Sequence, residues 1–416
     1  MTDSIIVVGS GVIGASTALA LLRDGHKVQL IDKEAPCAGA SFGNAGAIVN
    51  GSCAPTAMPG IIFDALNMLI KAHSPLSIRP AYFHKILPWL VRFMLQSRKS
   101  SVSKNAEHLY ALSKSAADSW RQLTDKSALS DYLHNTGWLK LYESDAALSQ
   151  SKTTRDLLDN LDSPYEIIDA NQISDLEPNL APIFKWGFFQ KDTLSISNPD
   201  GLVKSMVGLF VNEGGRYQQF DAQTIEVNSS DRVSINGASD SLKAAKVVIA
   251  AGAWSKTLAA QLGDTVPLDT EAGYHLMMPQ SSASLLNRPV VCAKNSFVLS
   301  PMETGLRMTS QVEFSGIHAE PDYSKIRRLL PLVKDILPSA DITEQSVWRG
   351  FRPSLPDSLP VLGFSSQSNN VLYAFGHQHL GMTLAAVTSF IITDLIAGRS
   401  LKIPLAPYQA NRFSLL

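Results

Sequence analysis

The chain opens on an uninterrupted apolar run, Ile5-Ile6-Val7-Val8, that stops at a glycine. Such a run predicts a short strand covered on both faces, because a half-exposed strand would alternate instead. A helix is predicted next, then a second apolar run, Val28-Gln29-Leu30-Ile31, closed by Asp32. Helical spacing dominates residues 57–123, where Leu109, Leu112, Ala116, Trp120 and Leu123 mark one long amphipathic helix. The pattern turns strand-like at 135–142 and 187–190. Asn198-Pro199-Asp200-Gly201 reads as a turn and cap opening a helix through Phe210. Residues 246–254 form a buried strand stopped by small residues, and alternation over 273–312 predicts an antiparallel sheet. A helix at 324–337, a Pro-rich turn, a strand at 371–375 and a helix at 380–397 complete the pattern.

Size and charge narrow the class. At 416 residues the chain exceeds one ordinary core, so two domains are expected. With 36 basic against 37 acidic residues there is no electrostatic case for nucleic acid, and the composition is that of a globular enzyme. Cys37, Cys53 and Cys292 are odd in number and lack metal-ligand spacing, which fits a reducing compartment and no metal site. The first strand begins almost at the N-terminus, leaving no room for a secretory signal, so the expected location is the cytoplasm. No segment approaches the roughly 18 uninterrupted apolar residues of a membrane span. Residues 61–98 are nevertheless apolar and basic, carrying Lys71, Arg79, Lys85, Arg92 and Arg98. They read either as helices packed on the core or as a segment lying on the inner face of a membrane.

The first turn holds the most specific chemistry. Gly9-x-Gly11-x-x-Gly14 follows a strand and opens a helix, which is the phosphate turn of a dinucleotide-binding unit. Gly9 permits the tight turn, Gly11 lets backbone approach a pyrophosphate, and Gly14 allows close helix packing. Val12 and Ile13 begin the helix whose free N–H groups meet the phosphates. Asp32, followed by Lys33, can accept hydrogen bonds from the adenosine ribose. The turn alone fits FAD or NAD. Three later segments favour FAD. Ser41, Asn44, Ala45, Gly46 and Ala47 lie where a loop can follow the ribityl chain. Gly252 and Trp254 end a small-residue strand at which backbone can press on a cofactor. Gly376, followed by Leu380, Gly381, Met382 and Thr383, sets a glycine turn before a helix N-terminus able to face the flavin ring.

With Gly350-x-Arg352-Pro353 and Gly376-His377 added to these motifs, the chain resembles the D-amino-acid oxidase and dehydrogenase family of FAD enzymes over essentially its full length. The bacterial D-amino-acid dehydrogenases are the most similar subgroup, and Gly376-His377-Gln378-His379-Leu380-Gly381 is similar to the D-hydroxyproline dehydrogenase form. The resemblance implies an α/β fold with an α+β insert. A Rossmann-like FAD-binding domain would comprise 1–85, 192–268 and 346–416. A substrate domain on an antiparallel sheet with helices would comprise 86–191 and 269–345. It also implies non-covalent FAD, since neither Cys53 nor Cys292 sits in a tethering motif. The implied reaction oxidises a D-amino acid, D-hydroxyproline or D-proline among them, to its imine, with electrons leaving through a quinone or another acceptor. A glycine- or sarcosine-type secondary-amine oxidase and a flavoprotein subunit with an assembly role stay open.

On the substrate side, prolines 353, 356 and 360 stiffen the turn after Arg352. A fixed guanidinium binds a carboxylate through two parallel bonds, each worth about 1.5–3 kcal/mol. The resemblance gives Arg352 the substrate's α-carboxylate; the alternative is a structural clamp to Asp357. Arg349 would point the other way. His377 and His379 either meet substrate or flavin, relay a proton, or fix their loop. Tyr274 either touches substrate or is a core residue of its strand.

Overall fold

The computed structural model describes residues 4–60, 75–228 and 232–413. The predicted opening appears as strand Ser4–Val8, helix Val12–Arg23 and strand Lys27–Asp32. These belong to a six-stranded sheet. In order across it stand Arg216–Gln219, Lys27–Asp32, Ser4–Val8, Lys246–Ile249, Val371–Phe375 and Val361–Phe364. Five strands run parallel and the last antiparallel. The continuous apolar runs are thereby explained, since both faces are covered: Ile5 and Val7 face one core, Ile6 and Val8 another.

A nine-stranded sheet forms the second layer. Ser346–Ser354, Asp269–Met278, Gly305–Phe314 and Phe297–Met302 are antiparallel neighbours, continued through Val290–Cys292, Trp138–Tyr142, Trp186–Gln190 and Glu166–Asp169. Leu76–Ile78 adds to it beside Gly305–Phe314. On one face Leu139, Leu276, Leu299 and Met308 meet Val333 and Ile336 of helix Leu330–Ile336. From the other face Ser300 and Arg307 reach the loop at 42–45.

Several expectations need correction. Strand Ser346–Ser354 lies in the nine-stranded sheet, because its whole length pairs with Asp269–Met278; the return to the nucleotide unit comes after it and not at 346. A boundary at 85 fails for a related reason. It would cut helix Phe83–Gln96, whose Ile86 and Trp89 pack on Phe314 of that same sheet. The helices after it belong instead with the first unit, since Trp120 packs in its core and donates its indole N–H to the Met382 carbonyl at 2.8 Å. Lastly, the single helix expected around 109–123 is two, Lys99–Ser113 and Ala116–Thr124. The loop at 50–52 docks into the break: Gly51 N–H donates to the Ser113 carbonyl, and the Ser113 hydroxyl to that of Ser52.

The helix at 324–337 is likewise split, into Ser324–Arg327 and Leu330–Ile336, with Pro331 in the first turn of the second. The stretch Gln378–Ile396 is long and apolar enough to cross a membrane by length and composition, which the sequence reading passed over. Two-thirds of it is buried inside the protein, where helix Gly381–Ile396 packs on Val12–Arg23.

Candidate active site

The turn after the first strand is shaped for close approach. Gly9 holds a φ of 107°, and a Cβ on Gly14 would stand 1.7 Å from the Gly9 carbonyl oxygen, so neither position admits a side chain. Gly11 caps helix Val12–Arg23 with no side chain to offer, and no acid lies in the first turn. The Val12 N–H donates to Ser41 Oγ at 3.0 Å. The remaining positive end of the helix is available to an anion. Asp32 accepts from the Ser10 backbone N–H at 2.6 Å and its hydroxyl at 2.9 Å, which ties the end of the second strand to the turn.

A cavity of about 750 Å³ runs from Asp32, Lys33 and Trp254, past Gly11, Val12 and Ile13, to Gly376, Gly381 and Met382. The Lys33 ammonium sits 4.1 Å above the Trp254 ring, and Gly252 begins the short turn that carries this tryptophan. At the far end helix Gly381–Ile396 starts, again with no capping side chain and no acid in its first turn. Thr383 accepts from Val49 N–H at 3.2 Å and so ties that helix to the loop after Ala47.

The loop between is fixed from several sides. Asn44 accepts from Gly46 N–H at 2.7 Å, the Ala45 carbonyl accepts from Ser300 at 2.8 Å, and Ala47 pairs with Ser195. The buried guanidinium of Arg307 donates to the Phe42 and Asn44 carbonyls at 3.0 and 2.7 Å. Sequence reasoning missed Arg307, which reads there as one polar position in an alternating strand.

These residues fit FAD. The cavity offers a carboxylate at a ribose end, an open helix N-terminus midway for a pyrophosphate, and a second such N-terminus where a reduced ring would carry charge. Cys53 and Cys292 are buried; burial pushes Cys53 up to about 12 and Cys292 higher still, so neither presents a thiolate.

A second cavity, of about 370 Å³, touches the first at Ala40, Asn44 and Gln378. Arg352 stands on its wall. The register of Ser346–Ser354 on Asp269–Met278 places Arg352, Gly350 and Trp348 beside Glu271, Gly273 and His275. The Arg352 guanidinium lies across Gly273, where a Cβ would come within 2.4 Å of Nη2. Its Nη1 donates to the Gln311 carbonyl at 2.9 Å, and among the described residues no carboxylate is within ion-pair distance. The clamp to Asp357 does not form, because Asp357 is held by Arg412 at 2.8 Å. Burial lowers the Arg352 pKa and the Glu271 charge opposes that, leaving an arginine that stays a cation. Arg349 points to the opposite face, towards the Ala319 carbonyl and 4.7 Å over the Phe351 ring.

The remaining candidates separate. His379 lies on the wall of the second cavity with its side chain exposed to it; the surrounding protein and then the Arg352 charge hold its pKa down to about 4. His377 borders the first cavity but turns its Nε2 inward, 3.0 Å from Thr388 Oγ1, and burial pulls it to about 3. The turn at Gln378–Leu380 drives the two apart. His377 therefore fixes its loop rather than meeting a substrate. Tyr274 borders the second cavity, yet its hydroxyl donates to Glu313, the core alternative for this residue, and burial, then Glu313, raise it to about 12. Glu313 is a hub there, also holding Arg79 and Lys325 at 2.9 and 2.8 Å. Leu380 and Thr383 line the second cavity.

Lys140, Trp138 and Gln190 face the same cavity, and sequence reasoning did not single them out. Their strands, Trp138–Tyr142 and Trp186–Gln190, alternate cavity and core positions, which is a signal for the sheet but not for the cavity.

The sequence model of the DAO family of FAD-dependent oxidoreductases matches residues 4–395. The chain is 29% identical to a D-amino-acid oxidase of Bradyrhizobium diazoefficiens over 98% of both proteins. It is 27% identical to a D-amino acid dehydrogenase of Sinorhizobium medicae, over 98% of this chain and 99% of that one. The crystal structure of glycine oxidase from Geobacillus kaustophilus superposes with a TM-score of 0.72 at 21% identity, covering 99% of each chain, so the fold is shared. The chain belongs to the DAO family and is an FAD-dependent oxidoreductase of amino acids.

Proposed function

We propose that the protein oxidises a D-amino acid, with D-hydroxyproline and D-proline as the leading substrates, to its imine, and passes the electrons to a quinone or another acceptor. The observation that carries this reading is Arg352: a half-buried cation with no carboxylate within ion-pair distance among the described residues, on a cavity wall that adjoins the dinucleotide cavity. FAD supplies the hydride acceptor, its N5, when bound. Arg352 holds the substrate carboxylate by two parallel bonds and so orients the α-carbon. The lining of the second cavity contains Arg352 and Lys140 and no Asp or Glu, so its field disfavours an ammonium and favours the neutral amine that hydride loss requires. His379, neutral at pH 7, can share a hydrogen bond with that amine without adding charge. The support for the D series is the naming of the two curated relatives. Support for an oxygen-bearing side chain comes from Lys140 and Gln190, which bring N–H donors to the same wall.

Anaerobic mixing of the yellow holoenzyme with single amino acids tests the reading through loss of flavin absorbance. D-Hydroxyproline and D-proline should bleach it faster than their L-enantiomers. Faster bleaching by glycine or sarcosine would transfer the reading to a secondary-amine oxidase, and no bleaching by any amine would leave an assembly role.

A further inference from the structure

Helix Phe83–Gln96 carries an apolar face that nothing described covers. Ile86 and Trp89 turn inward onto Phe314, with Phe93 stacked on Trp89. Phe83, Leu87, Val91, Met94 and Leu95 turn outward, each 37–50% exposed. They make up five of the nine large apolar side chains exposed among the described residues, so the exposure is concentrated and not scattered. At 100° per residue they fill a stripe about 120° wide, directly beside the buried stripe, and Lys85 and Arg92 border its far edge.

Charge completes the surface. Residues 75–106 contain six Lys or Arg and no Asp or Glu, in a chain whose charges otherwise balance. Arg79 is spent on Glu313. Lys85, Arg98, Lys99 and Lys104 are exposed, and none is in an ion pair among the described residues. The preceding segment, 61–74, lies outside the described residues; its sequence adds Ile61, Ile62, Phe63, Leu66, Met68 and Leu69, with Lys71.

We propose that Phe83–Gln96 is a membrane-docking helix that lies in the plane of an anionic lipid surface, its apolar stripe in the headgroup–acyl boundary and its lysines and arginines on the lipid phosphates. The combination of an outward apolar stripe and an unpaired basic border is what such surfaces select. A second protein copy would bring the same uncompensated positive charge against itself, which disfavours it as the occupant. The inner side of the helix touches the substrate sheet, with the Trp89 indole N–H 3.4 Å from the carbonyl oxygen of Ser354, two residues beyond Arg352. Docking here would set the catalytic unit against a bilayer, where a quinone acceptor dissolves.

Co-sedimentation of the holoenzyme with lipid vesicles decides the matter. Binding to phosphatidylcholine vesicles containing phosphatidylglycerol should exceed binding to pure phosphatidylcholine by about tenfold or more, and 0.5 M salt should weaken it. Leu87→Gln with Val91→Gln should abolish binding, and Lys85→Glu with Lys99→Glu should remove the preference for anionic lipid. Both variants should keep the flavin spectrum and anaerobic bleaching of the parent, which shows that they fold. Equal recovery of parent and variants in the supernatant would overturn the proposal. A stable dimer by sedimentation that Leu87→Gln with Val91→Gln converts to monomer, without vesicle binding, would overturn it in favour of a self-interface.

Discussion

The two cavities meet at Ala40, Asn44 and Gln378, yet they are walled by different means. The dinucleotide cavity is a backbone site. Its shape comes from positions that exclude a Cβ and from two helix ends whose cap residues offer no side-chain bond, and its main side chain, Asp32, is locked to the turn by Ser10. The second cavity is a side-chain site, in which Arg352, Lys140 and Gln190 arrive on separate strands of one sheet. A backbone site tolerates almost no change at its few fixed positions and gives little choice of ligand. A side-chain site keeps its frame while single residues set what it accepts.

That contrast can be broken or sharpened. The largest effect is expected from Gly14→Val, which drives a side chain into the Gly9 carbonyl; the purified variant should lose its flavin absorbance entirely while keeping its far-ultraviolet circular dichroism. Arg352→Lys should retain FAD but lower kcat/KM for amino acids by roughly 10- to 100-fold, because a point charge does not replace the fork. Arg349→Lys, on the opposite face, should change kcat/KM by less than about twofold. Gly273→Ala is milder: its Cβ displaces the Arg352 guanidinium, and KM should rise by roughly 3- to 10-fold with the flavin spectrum unchanged.

A separate effect, on stability and not on binding, is expected against pH. Burial holds His377 at about 3, well below the ordinary histidine value near 6.5. Between those values the unfolded chain binds the proton and the native protein does not, so stability falls as pH drops from about 6.5 towards 3. His377→Gln should reduce that slope by about one proton, roughly 1.4 kcal/mol per pH unit. Denaturant unfolding at pH 4.5, 5.5 and 6.5 reads it directly.

The same contrast accounts for what was legible in the sequence. A backbone site leaves a linear mark, so Gly9, Gly11, Gly14 and Asp32 could be read in order, and the apolar runs around them gave the parallel sheet. The wall of the second cavity leaves no such mark: Lys140 and Arg352 are more than two hundred residues apart, and only strand order joins them. Arg352 was legible because prolines and a glycine surround it. Extended backbone would put His377 and His379 on one face and a turn need not; the turn at Gln378–Leu380 leaves His377 against Thr388 and His379 on the wall of the second cavity. For Tyr274 the sequence leaves substrate contact and core both open; a bulge near it in the pairing with Gly305–Phe314 and the Glu313 hub decide its direction. The split between Lys99–Ser113 and Ala116–Thr124 is imposed by a loop sixty residues upstream and was beyond any local pattern.

The central claim is that the Arg352 carboxylate site adjoins the bound flavin. Titrating the holoenzyme with a simple unreactive carboxylate such as benzoate, while following the visible flavin bands, tests it most directly. The account predicts a saturable spectral shift whose dissociation constant rises about tenfold or more in Arg352→Lys and is unchanged in Arg349→Lys. Equal affinity in Arg352→Lys and the parent, or no shift at saturation in the parent, would contradict it.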